Sequence, residues 1–143
     1  MAIEAKNVVP PFSAQHLEAI CRVLADTDTG LTGSEIGYLL QDSRIVDTDT
    51  MLTKWKRLFN AFVGFQNEHK AGNCVVVFIT RSMNPASYTD RPDVFRLRRD
   101  KLNAVLAFCG FHLLENGKVI HQDKASTIDQ ALPCNEPTDC VLL

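Results

Sequence analysis

Apolar residues recur at helical spacing along most of this chain. Leu17, Ile20, Cys21 and Leu24 form a first stripe, the mark of an amphipathic helix with one face on a core. Ser13 precedes it as an N-cap, and Phe12 with Leu17 makes a hydrophobic staple. A second stripe, Ile36, Leu39 and Leu40, follows Thr32-Gly33-Ser34-Glu35. That tetrapeptide fits a capping box, with Leu31 and Ile36 as its staple. Asp42 and Ser43 close the helix, and Asp47, Thr48, Asp49 and Thr50 offer caps for the next. In that third helix Leu52, Trp55, Phe59, Phe62 and Gln66 share a face, with Leu58 and Phe65 beside it. Lys54, Lys56 and Arg57 fall on the other side. The core is therefore predicted to gather around the Trp55 stripe, each buried aromatic contributing about 1.5–3 kcal/mol.

Residues 74–83 fit two patterns. Their run of Val, Phe and Ile suits a buried strand. Asn73 as a cap and Pro85 as a stop suit a helix. A lone strand would lack a neighbour, which favours the helix. Next, Asp90 or Arg91 caps a fifth helix that has Pro92 in its first turn. Phe95, Leu102, Val105, Leu106 and Cys109 are its core stripe; Gly110 ends it, and Arg96, Arg99 and Asn103 are read as an outer face. Asn116-Gly117 then predicts a β-hairpin over residues 111–121 with a type I′ turn. That register sets Leu114 opposite Val119 and His112 opposite His121. The predicted fold is mainly α, about five helices with a C-terminal β-hairpin in a single compact domain. A hairpin after helices also fits a winged-helix-like arrangement. Residues 1–10 read as a disordered lead-in, 11–122 as the helical domain with its hairpin, and 123–143 as a flexible tail.

The 143 residues suffice for one domain of ordinary size. A net charge of -2 argues against dominant nonspecific nucleic-acid binding. The charge is unevenly placed. Asp26, Asp28, Glu35, Asp42, Asp47 and Asp49 form an acidic zone; Arg91, Arg96, Arg98, Arg99 and Lys101 form a basic one. The two are expected to face each other. Five cysteines without a CxxC pair, in a chain with no signal peptide, predict reduced thiols in a cytosol. No apolar run approaches about 18 residues, so no membrane span is expected.

The sequence carries no GxxxxGK[ST] or GxGxxG phosphate loop, no HExxH and no GxSxG elbow. No catalytic, cofactor-binding or metal residue is therefore assigned. Residues 26–30 resemble part of a calcium loop, but the glycine comes early and the closing glutamate is missing; they read as a turn in which Gly30 takes a left-handed conformation. His112 and His121 would give two metal ligands where a site needs a third. An enzyme working through an acidic-loop metal or a cysteine nucleophile remains an unassigned alternative. Lys54, Arg57, Arg96 and Arg99 are the candidate surface for nucleic acid or a protein partner. A helix-turn-helix built from the second and third helices has a connection that is too long and too acidic for it. Cys140-Val141-Leu142-Leu143 fits the C-a-a-X pattern, so Cys140 would be prenylated if the chain were delivered into a eukaryotic cell. The polybasic helper is missing upstream, where Glu136 and Asp139 stand, and one prenyl chain anchors weakly at a host membrane.

Three segments carry a family resemblance: PPFSAQHLEAICRVLADTDTGLTGSEIG, LTKWKRLFNAFVGFQNEHKAGNCVVVFITRSMNP and RRDKLNAVLAFCGFHLLENGKV. Together they resemble the N-terminal domain of the bacterial Ymh-like proteins, often grouped with abortive-infection, or phage-defence, genes. The resemblance spans residues 9–131 and implies a helix over residues 74–83. Larger members continue into a domain resembling HEPN ribonucleases, which use an arginine separated from a histidine by four to six residues. No arginine here has that spacing, and the chain is expected to end before such a domain, so the resemblance implies a cytoplasmic adaptor or sensor rather than a nuclease.

Overall fold

The structure is a computed structural model and describes residues 8–132. Its elements follow the capping signals. Helix α1 (Ala14–Leu24) opens on Ser13, whose hydroxyl accepts from the His16 amide. Helix α2 (Gly33–Asp42) opens on the full capping box: Glu35 N–H donates to Thr32 Oγ1 at 3.1 Å, and Thr32 N–H donates to Glu35 Oε1 at 2.8 Å. Helix α3 (Lys54–His69) starts after Thr53, not after Asp47 to Thr50. Asp49 instead accepts from the Met51 amide inside the connecting loop.

Residues Asn73–Ser82 form helix α4, which settles the strand-or-helix question. Cys74, Val75, Phe78, Ile79 and Ser82 are its buried positions, a stripe of period near 3.6. A short 3-10 turn, Pro85–Tyr88, leads to helix α5 (Pro92–Cys109). Strands β1 (Phe111–Leu113) and β2 (Val119–His121) pair antiparallel, and a short helix α6 (Ile128–Ala131) closes the described chain. Helix α1 packs on α3 and α5, α2 on α4, and β1 and α6 on α5.

The core differs in its centre from the stripe read along α3. Leu58, Ala61, Phe62 and Gln66 are the buried residues of α3, while Trp55 and Phe59 are only half-buried at its border. The Phe62 and Phe78 rings meet edge-on at 5.2 Å. Trp55 lies under the Arg22 guanidinium at 4.1 Å, at the rim of the α1–α3 contact. The buried face of α3 is turned from the Trp55 stripe toward Leu58 and Ala61, and Lys54 and Arg57 also turn inward, as described below.

Both predicted domain boundaries shift. The lead-in is seated at Val9, whose amide donates to Asn73 Oδ1 and whose carbonyl accepts from Gly72. The buried Gln66 amide then holds the chain at Phe12, accepting from its N–H at 2.8 Å and donating to its carbonyl at 3.1 Å. At the other end, residues 123–132 are not a free tail: the Ala125 amide donates to the Ala107 carbonyl, and Ala131 is buried in α6 against α5. Residues 1–7 and 133–143, including Cys140, lie outside the described residues.

The hairpin forms, but in another register. Leu113 faces Val119, His112 faces Ile120 and Phe111 faces His121. A type I′ turn needs positive φ at both central residues. Among the described residues Gly117 has it (φ 87) and Asn116 does not. The Gly117 amide donates to Leu114 O and the Leu114 amide to Lys118 O, a three-residue loop with glycine in the left-handed bulge position. Asn116 serves as an acceptor for the Lys118 amide. The one-residue slip removes the opposed histidine pair. His121 instead stacks near Phe111 at 4.9 Å. Burial, and then the Arg99 charge, hold His112 below the ordinary imidazole range.

Residues 26–30 are a turn, with a different use for the glycine. Asp26 accepts from the Asp28 and Thr29 amides, which lowers its pKa. Gly30 does not have positive φ. A Cβ there would lie 2.2 Å from the Asp26 nitrogen, so close approach of the backbone is what demands glycine.

Candidate functional site

The four candidate surface cations do not make one free patch. Lys54 Nζ donates to the carbonyls of Asp26 and Leu31, both at 2.9 Å. Arg57 grips Asp47 with Nε and Nη2 and reaches the Gly33 carbonyl with Nη1 at 3.0 Å. Its ion pair is largely buried, and the hydrogen bonds it donates to Asp47 raise the guanidinium pKa. Both cations therefore tie α3 to the acidic turns that flank α2. The expected meeting of the basic and acidic zones is seen at Arg98, whose Nη2 donates to Thr29 O at 2.6 Å, and loosely at Arg91, 3.8 Å from Glu35; Lys54 and Arg57 reach the acidic turns from outside the basic zone.

The presumed outer face of α5 is the seat of the hairpin. Asn103 is buried; its Nδ2 donates to Leu113 O at 3.0 Å and its Oδ1 accepts from Leu113 N–H at 2.7 Å. Arg99 Nε donates to the same carbonyl at 3.0 Å. Of the four candidates only Arg96 projects freely, beside Asp93 at 3.3 Å. The residue missed in the sequence is Arg98, 4 % exposed. Its position gave the signal: it lies three residues after Phe95 and four before Leu102, on the core stripe itself.

The thiols in the described residues are inert by environment. Burial, and then Glu18, push Cys21 up; burial pushes Cys74 up to about 12 and Cys109 up to about 11. A thiol that stays protonated is a poor nucleophile. The sign of the stability effect follows. Above about pH 9 the unfolded chain releases thiol protons that the folded chain retains, so stability falls as pH rises. The urea midpoint is expected to decline steadily from pH 8.5 to 11, and Cys109→Ala is expected to make that decline shallower. A midpoint independent of pH over this window would contradict the burial of these groups. Among the described residues no three His, Cys, Asp or Glu side chains gather as a metal site.

The surface feature with the most built-in chemistry is a groove of about 530 Å³ between α2, the end of α4 and the 3-10 turn. Residues Glu35, Tyr38, Leu39 and Asp42 recur on one face of α2 and form one wall, while Ile36 and Leu40 point into the core. Arg81 and Arg91 stand opposite, pairing with Asp42 at one end and, loosely at 3.8 Å, with Glu35 at the other. The floor is Tyr88, 3 % exposed, whose hydroxyl donates to Ser82 O at 2.7 Å and accepts from Arg98. Burial raises the Tyr88 pKa although Arg98 opposes the rise. Tyr38 stands on the rim, 67 % exposed. Both end pairs are about half exposed, and such pairs contribute at most about 1 kcal/mol, so a ligand can exchange with them at little cost. No helix of the described residues is long and apolar enough to cross a membrane. No family model matches this chain, and no curated protein or solved structure matches it.

Proposed function

We propose that this chain is a non-catalytic interaction module, an adaptor or sensor of the bacterial cytoplasm, and that the α2–α4 groove is its recognition surface. The observation that carries the reading is Tyr38, a large exposed aromatic on the rim of a groove walled by acid on one side and base on the other. Aromatic anchors flanked by exchangeable charges are the usual content of a protein-binding surface. The occupant this chemistry fits is a partner's peptide segment with an apolar side chain for the Leu39–Tyr88 floor, a cation toward Glu35 and Asp42, and an anion toward Arg81 and Arg91. The resemblance to Ymh-like domains supports placing that partner in a phage-defence system. Among the described residues the buried thiols resist deprotonation, which agrees with a binding role.

A photo-crosslinking amino acid at position 38, in bacteria with and without phage challenge, tests the reading. One discrete adduct is expected, reduced at least fivefold by Arg81→Glu with Arg91→Glu. The same crosslinker at Asn60, exposed on α3, is the control. Equal labelling at positions 38 and 60, or an adduct indifferent to the charge reversal, would sink the proposal.

A further inference from the structure

Arg98 is a buried cation with neutral partners. Its guanidinium bonds to the Tyr88 hydroxyl and the Thr29 carbonyl, and Nε, shielded from solvent, finds no acceptor. Among the described residues no carboxylate pairs with it, and the Tyr88 ring at 5.5 Å is its other electrostatic support. Burying a charge without a counter-charge is costly, and the missing element is an anion. Beside the Arg98 side chain lies a cavity of about 220 Å³. Arg98 lines it with Arg91 and Lys101, and Thr29 and Gly30 close the other side. A cavity of that size has room for an oxyanion with water around it.

The surroundings leave the positive charge unspent. Arg91 makes two long ion-pair contacts, 3.8 Å to Glu35 and 3.9 Å to Asp90, and its guanidinium lies over the Tyr88 ring at 5.1 Å. Lys101 is exposed, and its charge reaches Asp26, whose carboxylate is already engaged by two backbone amides. One acid, Asp28, lines the cavity and opposes an anion. Three cations against one exposed carboxylate, with one cation in a low-dielectric wall, favour a compact dianion over chloride.

The geometry points to a binding site for a phosphate group, free or as a monoester, in the cavity between the residue 26–30 turn and α5. Arg91 borders both this cavity and the α2–α4 groove, whereas Lys101 and Asp28 line the cavity alone and probe it without touching the groove. The test is titration of the full chain at pH 7.5 and constant ionic strength, read by backbone amide shifts and thermal midpoint. The probes are inorganic phosphate, O-phosphoserine and a mononucleotide, with chloride as the balancing salt. Saturable shifts at Thr29, Gly30 and Lys101 are expected. Lys101→Glu should weaken binding at least tenfold, and Asp28→Asn should tighten it severalfold. Lys118→Glu makes the same change of net charge on the hairpin and should leave affinity unchanged. Tighter binding of either ester than of inorganic phosphate would identify a phosphomonoester ligand; equal binding would identify free phosphate, and both support the site. Shifts no larger than chloride gives, or equal weakening by Lys101→Glu and Lys118→Glu, would overturn it.

Discussion

Phe62→Ala is expected to destabilise the protein by about 3–5 kcal/mol, the loss seen when a buried aromatic is truncated in a closed core. Phe62 has no exposed surface and meets Phe78 edge-on, so the cavity left behind is walled by α3 and α4 and cannot fill with water cheaply. For a chain of this size the thermal midpoint should drop by roughly 10 °C or more. Trp55→Ala is the informative partner. Trp55 is half-buried at the α1–α3 rim, under Arg22, and its loss should cost only about 1–2 kcal/mol on area grounds. Far-ultraviolet circular dichroism during urea unfolding compares the two, because Trp55 is the one tryptophan. If Trp55→Ala proved as damaging as Phe62→Ala, the core would be centred on the Trp55 stripe after all.

Asn103→Leu should destabilise by about 2–4 kcal/mol despite its near-equal size. The Asn103 amide is a two-point clamp on the Leu113 backbone inside the core. Removing it leaves the Leu113 N–H buried without an acceptor, while the Leu113 carbonyl keeps Arg99. An orphaned buried donor costs about 1–3 kcal/mol beyond the bond itself. The expected signature is local as well as global. Hydrogen exchange at Leu113 and Leu114 should accelerate more than exchange in α3 or α4. Uniform acceleration, or a stability loss below about 1 kcal/mol, would mean that the hairpin is held by apolar packing of Phe111 and Leu113 rather than by this clamp.

Much of the fold was legible because local chemistry decides it. Ser13 and Thr32 with Glu35 cap their helices with the hydrogen bonds their spacing foretells. Pro92 sits in the first turn of α5 and Gly110 ends it in a left-handed conformation. The errors occurred where two local solutions were close in energy. Asn116-Gly117 allows either a two-residue type I′ turn or a three-residue loop with a glycine bulge, and packing of Phe111 and Leu113 against α5 selects the second. A one-residue slip exchanges the faces of a strand, which is why the histidine pair dissolved with it. The groove was not readable, because it joins α2 to residues 39 or more positions later in the chain. Charge type misled in the same way. Lys54, Arg57 and Arg99 read as surface cations, yet each finishes on a backbone carbonyl of another element.

The sequence alone determined where α1, α2 and α5 begin and where α5 ends, since caps, prolines and apolar period act over a few residues. Only the tertiary structure decided which cations are tethers and which are free, how the hairpin is registered, and that Arg98 lies buried beside an open cavity. Those outcomes depend on partners far apart along the chain, and a buried charge or amide is satisfied by whichever element folding brings to it.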